Sequence, residues 1–219
     1  MSSIHAVSFP LQLPPGALGA AAVSSDVRCF LVPHATGVLL VDAGLPGGAE
    51  AIGAALARMS ADWSDVSDIV VTHAHFDHVG GLADVLGRAV GAVLHAGAGE
   101  IADVQAAATG HQATSLTSGD HVAGFSVRPT PGHTAGHLCL LDEDAGVLLA
   151  GDVVGSLDGN LIRPPSMFTS DAVTAERSLA ELASFGVARL ITSHGDELAD
   201  GPQQLLALSA AGSAAHATS

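Results

Sequence analysis

The amino-acid sequence predicts an α/β fold in which two β-sheets pack face to face with helices on their outer sides. Three observations point to it. Apolar, strand-like runs come in two blocks, the first reaching Val71 and the second running from Phe125 to Leu149, and each block is followed by stretches of helical spacing. Several of these runs stop abruptly at histidine or aspartate, as strand ends at one edge of a sheet would. Aromatic residues are only 3% of a chain that is 48% hydrophobic, so Ala, Val and Leu must fill the core. At 219 residues the chain can build that core without disulfides. A single domain over residues 1–210 is expected, with 211–219 as a disordered Ala/Ser/Gly tail.

Residues 4–9 read as a first strand, broken by Pro10, Pro14, Pro15 and Gly16. Val27–Val32 and Val38–Val41 read as a hairpin around Pro33–Gly37. Ile52, Leu56 and Met59 share one face of a helix over Ala49–Met59. Asp62–Asp68 is an acidic connection carrying the single tryptophan, and Asp68–Val71 is a buried strand. Short helices follow at Leu82–Leu86 and Ile101–Ala108, with a strand at Gly91–His95 between them and a polar loop over Thr109–Asp120. Phe125–Thr130 is a strand ended by Pro129 and Pro131. His137–Leu141 and Val147–Leu149 are strands around a turn. Residues 155–170 read as a Gly/Pro/Ser-rich loop. Asp171–Phe185 is a helix capped by Ser170 or Asp171 and stopped at Gly186. Arg189–Thr192 is a last strand and Pro202–Leu208 a short helix.

The chemistry concentrates at Thr72–Gly81, THAHFDHVGG. Three histidines and an aspartate fall within six residues, directly after a buried run. His73 and His75 stand two apart, so an extended backbone points both to one side. Asp77 and His78 open the next turn. A divalent cation relieves the repulsion and unsatisfied polarity of such a cluster. Nitrogen and oxygen donors without thiolates suit zinc, and iron or manganese also fit. His133, Asp152 and His194 likewise follow apolar runs, so the fold can bring them to the same place. Asp42, after Val38–Val41, is either a turn residue or the acceptor for a ligand's free ring N–H.

The formal net charge is −15, with no lysine and no tyrosine and seven arginines. That charge opposes nucleic-acid phosphates and anionic membrane surfaces. No apolar run reaches membrane-spanning length. The start, MSSIHAVSFP, has neither a basic segment nor an apolar one, so no signal peptide is read. Cys29 and Cys139 lie inside apolar runs and read as buried free thiols. A cytoplasmic protein acting on a small molecule is the expectation.

Five marks in order resemble the metallo-β-lactamase superfamily: Val41-Asp42-Ala-Gly44, His73-Ala-His75-Phe-Asp77-His78, Thr130-Pro-Gly-His133-Thr-Ala-Gly-His137, Gly151-Asp152 and Ser193-His194-Gly195. The resemblance implies a four-layer αβ/βα sandwich, with two mixed sheets and a two-metal site at one edge. It implies that His73, His75 and His133 hold one metal and Asp77, His78 and His194 a second, with Asp152 bridging. Asp42 would support a ligand ring. Two divalent cations, zinc foremost, would share a hydroxide that attacks an acyl carbonyl, with Asp77 orienting it and accepting its proton.

Within the family, the missing lysine and the presence of Asp152 disfavour a dedicated β-lactamase, and the missing tyrosine disfavours the lactonase mechanism. Glyoxalase II-like thioesterases match the ligand set best, although their C-terminal glutathione-binding domain has no counterpart in the some twenty-five residues after His194. A compact thioesterase-like hydrolase is the expectation, with lactones or β-lactams as further substrates. The alternatives are a persulfide dioxygenase-like enzyme with one iron and a metal-binding module without catalysis. Around the mouth, the 155–170 segment offers Arg163 as an anchor for an anionic substrate and Met167 and Phe168 as apolar contacts. His137 would line the site or bond to backbone.

Overall fold

The structure is a computed structural model that describes residues 3–216, with side chains to residue 212. A mixed six-stranded sheet runs in the order β1 (His5–Leu13), β2 (Val23–His34), β3 (Gly37–Val41), β4 (Val66–Val71), β5 (Val93–Gly97) and β6 (Ala113–Leu116). β1, β2 and β3 pair antiparallel, and β3 to β6 are parallel. The second sheet joins β7 (His121–Val122), β8 (Phe125–Pro129), β9 (Leu138–Asp142), β10 (Val147–Leu149) and β13 (Arg189–Ile191), with β13 beside β10. β11 (Gly155–Leu157) and β12 (Asn160–Ile162) form a separate hairpin. The helices are α1 (Ala49–Arg58), α2 (Phe76–Val79), α3 (Leu82–Arg88), α4 (Ile101–Ala107), α5 (Ala172–Ser184) and α6 (Gly201–His216).

Alternation along the strands explains the layering. Leu31, Leu40 and Ile69 point outward from the first sheet and pack with Ile52 and Leu56 of α1 and Leu82 and Val85 of α3. Their neighbours Phe30, Leu39 and Val70 point inward and meet Phe125, Val127, Leu138 and Leu140 of the second sheet. Cys139, Leu141 and Leu148 turn to the opposite face and pack with Leu179 and Leu182 of α5 and Leu205 of α6. Strands covered on both faces need apolar residues at consecutive positions, which is why these runs are unbroken in the sequence. The result is helix, sheet, sheet, helix. Cys29 and Cys139 are free and buried. Burial pushes the Cys139 thiol up to about 12, so it stays protonated.

Several elements differ from expectation. β1 continues through Pro10 to Leu13 because it is the sheet's edge strand, where a missing N–H is tolerated. Pro33 lies inside β2 but beyond the last pairing with β1, His5 with Leu31. The polar Thr109–Asp120 stretch contains β6, and the 155–170 stretch contains the β11–β12 hairpin and a 3-10 turn at Ser166–Phe168. α6 runs far past Leu208, so residues 211–216 of the expected tail are helical, and 217–219 lie outside the described residues. Gly212 lets α6 approach closely: a Cβ there would meet the carboxylate of Glu176 and sit 2.7 Å from a guanidinium nitrogen of Arg163.

Leu40 is fully buried and Val90 is 83% exposed. Leu40→Ala should therefore cost about 3 kcal/mol and lower Tm by roughly 6–12 °C. Val90→Ala should leave Tm within about 2 °C. Thermal melts of the two variants check this.

Candidate metal centre

The expected ligands meet because of strand direction. β3 and β4 are parallel, so Asp42 and the Thr72–His78 segment leave the first sheet at the same edge. β8 and β10 are each antiparallel to β9 and therefore parallel to one another, and β13 is parallel to β10. The segments carrying His133, Asp152 and His194 thus leave the second sheet together. This is the carboxyl end of the strands, where open α/β sheets bind ligands.

Nε2 of His73 and Nε2 of His133 lie 3.1 and 3.0 Å from Nδ1 of His75. One ring nitrogen cannot satisfy both neighbours as donor and as acceptor at once for all three rings, so lone pairs converge there. Nε2 of His194 lies 3.3 Å from Asp77 Oδ2 and 3.2 Å from Asp152 Oδ2. Asp152 reaches both groups: Oδ2 is 3.5 Å from His133 and 3.8 Å from His73, while Oδ1 is 3.5 Å from His78 Nε2. Among the described residues, three triads have donor atoms within 4.8 Å of one another: His73, His75 and His133; His73, His78 and Asp152; Asp77, His78 and His194. His78 Nε2 and Asp152 Oδ1 are buried without a hydrogen-bond partner. Buried polar atoms of this kind are costly unless something pairs with them, and imidazole and carboxylate donors in such sets fit divalent cations.

The charges agree with that fit. Burial lowers the imidazole pKa of His73 well below its usual value and that of His133 to about 4, leaving their lone pairs free at neutral pH. Burial works the same way on His78 and His194, but there the carboxylates outweigh it, chiefly Asp152, and raise both. Burial would raise Asp152, yet His194 and His78 hold it well below the usual carboxylate range. The carboxylates therefore demand positive charge at the positions that Nε2 of His78 and His194 face.

Ring orientation is fixed from behind. Asp42 is fully buried at φ 62°, a conformation aspartate tolerates better than most residues. Its carboxylate accepts from Thr72 N (2.8 Å) and Thr72 Oγ1 (2.9 Å), and its Oδ2 is 2.8 Å from His78 Nδ1. With Nδ1–H donated to Asp42, His78 turns the Nε2 lone pair into the site. His194 Nδ1 donates to the Asp26 carbonyl at 2.7 Å and is oriented likewise, while Asp26 Oδ1 accepts from Gly195 N.

Of the two roles expected for His137, lining the site or bonding to backbone, the structure shows the backbone bond. His137 is fully buried, and its Nε2 accepts from the backbone N–H of Asp152 at 2.9 Å. Its Nδ1 therefore donates to Thr130 Oγ1 at 2.7 Å, so it positions the Asp152 turn from inside. Burial and neighbouring His133 lower it to about 3, which keeps it neutral. Arg163 differs from expectation: Nε and Nη2, along one edge of its guanidinium, donate to the two carboxylate oxygens of Glu176, and Nη2 donates to Leu208 O at 3.0 Å. Its charge is spent within the fold. Phe168 borders the site, and Met167 lies 58% exposed along a more open groove beside His75 and His133. Among the histidines outside the candidate ligand set, His95 pairs with Asp68 at 2.9 Å and His34 with Ser67 at 3.0 Å. The side chain of His216 lies outside the described residues.

Glu100 escaped the sequence reading. It is 3% exposed and accepts from Ala74 N through Oε2 and Gly136 N through Oε1, both at 2.8 Å. One carboxylate thus staples the His73–His75 segment to the His133–His137 segment. Gly97 makes the approach possible, since a Cβ there would strike the Gly136 carbonyl. A cavity of about 360 Å³ opens on the site, with His75, Asp77, His133, Asp152 and His194 among its lining residues.

The model of the metallo-beta-lactamase superfamily matches residues 25–101 and 116–194. A probable metallo-hydrolase of Bacillus subtilis, YflN, is 28% identical over 206 residues, covering 74% of this chain and 76% of that protein. A hydroxyacylglutathione hydrolase of Aeromonas hydrophila is 34% identical over 136 residues, and the match spans only 48% of its length. Among solved structures, a metallo-beta-lactamase family protein of Thermus thermophilus superposes with a TM-score of 0.69 at 26% identity, over 95% of this chain and 80% of that one. Most of the chain, including β3 to β5, the second sheet and every loop that carries a candidate ligand, lies inside the matched regions, and the chain belongs to the metallo-beta-lactamase superfamily.

Proposed function

We propose that this protein is a two-metal hydrolase of ester-like bonds, thioesters foremost. The observation that supports the reading is the convergence of ring nitrogens and carboxylates in three overlapping groups beside an open cavity, with His78 Nε2 and Asp152 Oδ1 buried 3.5 Å apart and neither making a hydrogen bond. His73, His75 and His133 would hold one ion, Asp77, His78 and His194 the other, and Asp152 would serve both. The complete second group favours two ions over a single iron. Zinc is the proposed metal. Similarity to hydroxyacylglutathione hydrolases, and to a protein of Emericella nidulans named thioesterase pkgB at 28% identity over 142 residues, supports the thioester.

Two bound cations would supply Lewis acidity toward the acyl carbonyl and an activated water near neutral pH. The chain's own groups do the rest. Asp77 is half-buried, lines the cavity, and is placed to orient the attacking water and take its proton. With both ions bound, Asp152 would place negative charge between the two cations and lower their mutual repulsion. Asp42 and the Asp26 carbonyl keep the rings of His78 and His194 aimed inward. Glu100 holds the His75 and His133 segments in register. In the overall reaction a C–O bond forms, the C–S bond breaks, and acid and thiol leave.

Chelation of the zinc form should abolish hydrolysis, and restored zinc should return it. Asp152→Ala should lower metal content at both positions and kcat/KM at least a hundredfold; full activity would exclude the bridging role. Glu100→Ala leaves two part-buried N–H groups without this acceptor, which costs about 2–4 kcal/mol. It should weaken metal affinity about 10–100-fold, as loss of supporting hydrogen bonds does. Competition with a chromogenic chelator measures that affinity.

A further inference from the structure

The cavity beside the candidate centre carries a substrate class. Apart from the candidate ligands its walls are almost wholly apolar. Leu11 and Leu18 come from the end of β1 and the turn after it, Leu157 and Ile162 from the β11–β12 hairpin, Phe76 from the start of α2 and Phe168 from the 3-10 turn. The polar wall residues are few and neutral: Gln12 donates to Ser24 Oγ at 2.7 Å, Ser25 Oγ to the Asp26 carbonyl at 3.4 Å and Ser156 Oγ to the Asp196 carbonyl at 2.6 Å. Arg163 is the one basic side chain among the described lining residues besides the histidines, and Glu176 neutralises it. Away from the candidate ligands, a ligand carboxylate would enter this space without a cationic partner, inside a chain of net charge −15. A volume of about 360 Å³, at about 30 Å³ per heavy atom as for a water molecule, holds roughly ten non-hydrogen atoms.

We infer that the cavity binds the acyl part of the substrate, and that this part is an uncharged, unbranched apolar chain of up to about ten carbons. The inference rests on the hydrolase reading of the adjoining site and specifies its substrate. The carbonyl lies at the His75–Asp77 end, and the chain extends between Leu157, Ile162 and Leu18. The thiol portion leaves through the open mouth, past the exposed Phe76. Water supplies the hydroxyl of the acid and the hydrogen of the departing thiol, so no further reactant is required.

Two measurements test this on the zinc-loaded protein. The first is kcat/KM for N-acetylcysteamine thioesters of straight-chain acids from two to fourteen carbons, with ω-carboxylated acyl groups of matching length. The value should rise about fourfold per methylene, level off near ten carbons, and fall at least a hundredfold for the ω-carboxylates. The second is calorimetric binding of methyl ketones of the same lengths, which needs no turnover. Ketone affinity should climb in the same way, and Leu18→Asp or Ile162→Asp should reduce it at least tenfold with the circular-dichroism spectrum retained. Hydrolysis that is flat in chain length, or that prefers the ω-carboxylates, overturns the inference while leaving the hydrolase reading intact. Length-dependent ketone binding without hydrolysis of any thioester supports the apolar ligand class and overturns the hydrolase reading instead. Absence of both length dependences overturns the assignment of the cavity.

Discussion

Seven side chains direct unshared electron pairs into one pocket at the edge of two sheets, and those pairs repel one another unless positive charge lies between them. That electrostatic requirement organises everything around it. It explains why Asp152 is held as a carboxylate despite its burial. The Asp152 carboxylate draws His78 and His194 toward protonation, whereas burial keeps His73 and His133 neutral. The same requirement explains the backing of Asp42, Asp26, Glu100 and His137, each of which holds a ligand ring or a ligand turn in place. Groups that repel do not stay together by their own contacts, so the surrounding structure must hold them.

The sandwich does that holding. Each central strand is packed on both faces, with Leu40 toward α1 and Leu39 toward the second sheet as one example. A strand so enclosed has little freedom to shift its end, and the ligand turns begin within a few residues of those ends. Rigid strands, rather than the turns themselves, fix the site. The cavity is built from different material. Its walls are the end of an edge strand, a turn and a small hairpin, so substrate contacts can vary without disturbing the ligands.

Legibility in the sequence followed the physics of each group. The metal-ligand motif stood out because closely spaced histidines and aspartate after a buried run have few other uses, and the family resemblance assigned the remaining ligands. The apolar runs of β2, β3, β4, β9 and β10 were equally visible, since burial on both faces writes itself into consecutive residues. β6 was not, because an edge strand of Ala113–Leu116 with two exposed positions carries no apolar run. The extent of α6 was hidden too, because its packing on Glu176 and Arg163 is tertiary. Glu100 looks like any surface glutamate until the fold brings Ala74 and Gly136 to its two oxygens. Arg163 looked free for the converse reason: its partner Glu176 lies on another element.

Anomalous diffraction at the zinc absorption edge, on crystals of the zinc-loaded protein, tests the central claim most directly. The account predicts two ions about 3.5–4 Å apart, the usual spacing of two-metal sites. One should be bound by His73, His75 and His133 and the other by Asp77, His78 and His194, with Asp152 touching both. A single ion at full occupancy, or an ion pair that leaves His133 or His194 unligated, would contradict it.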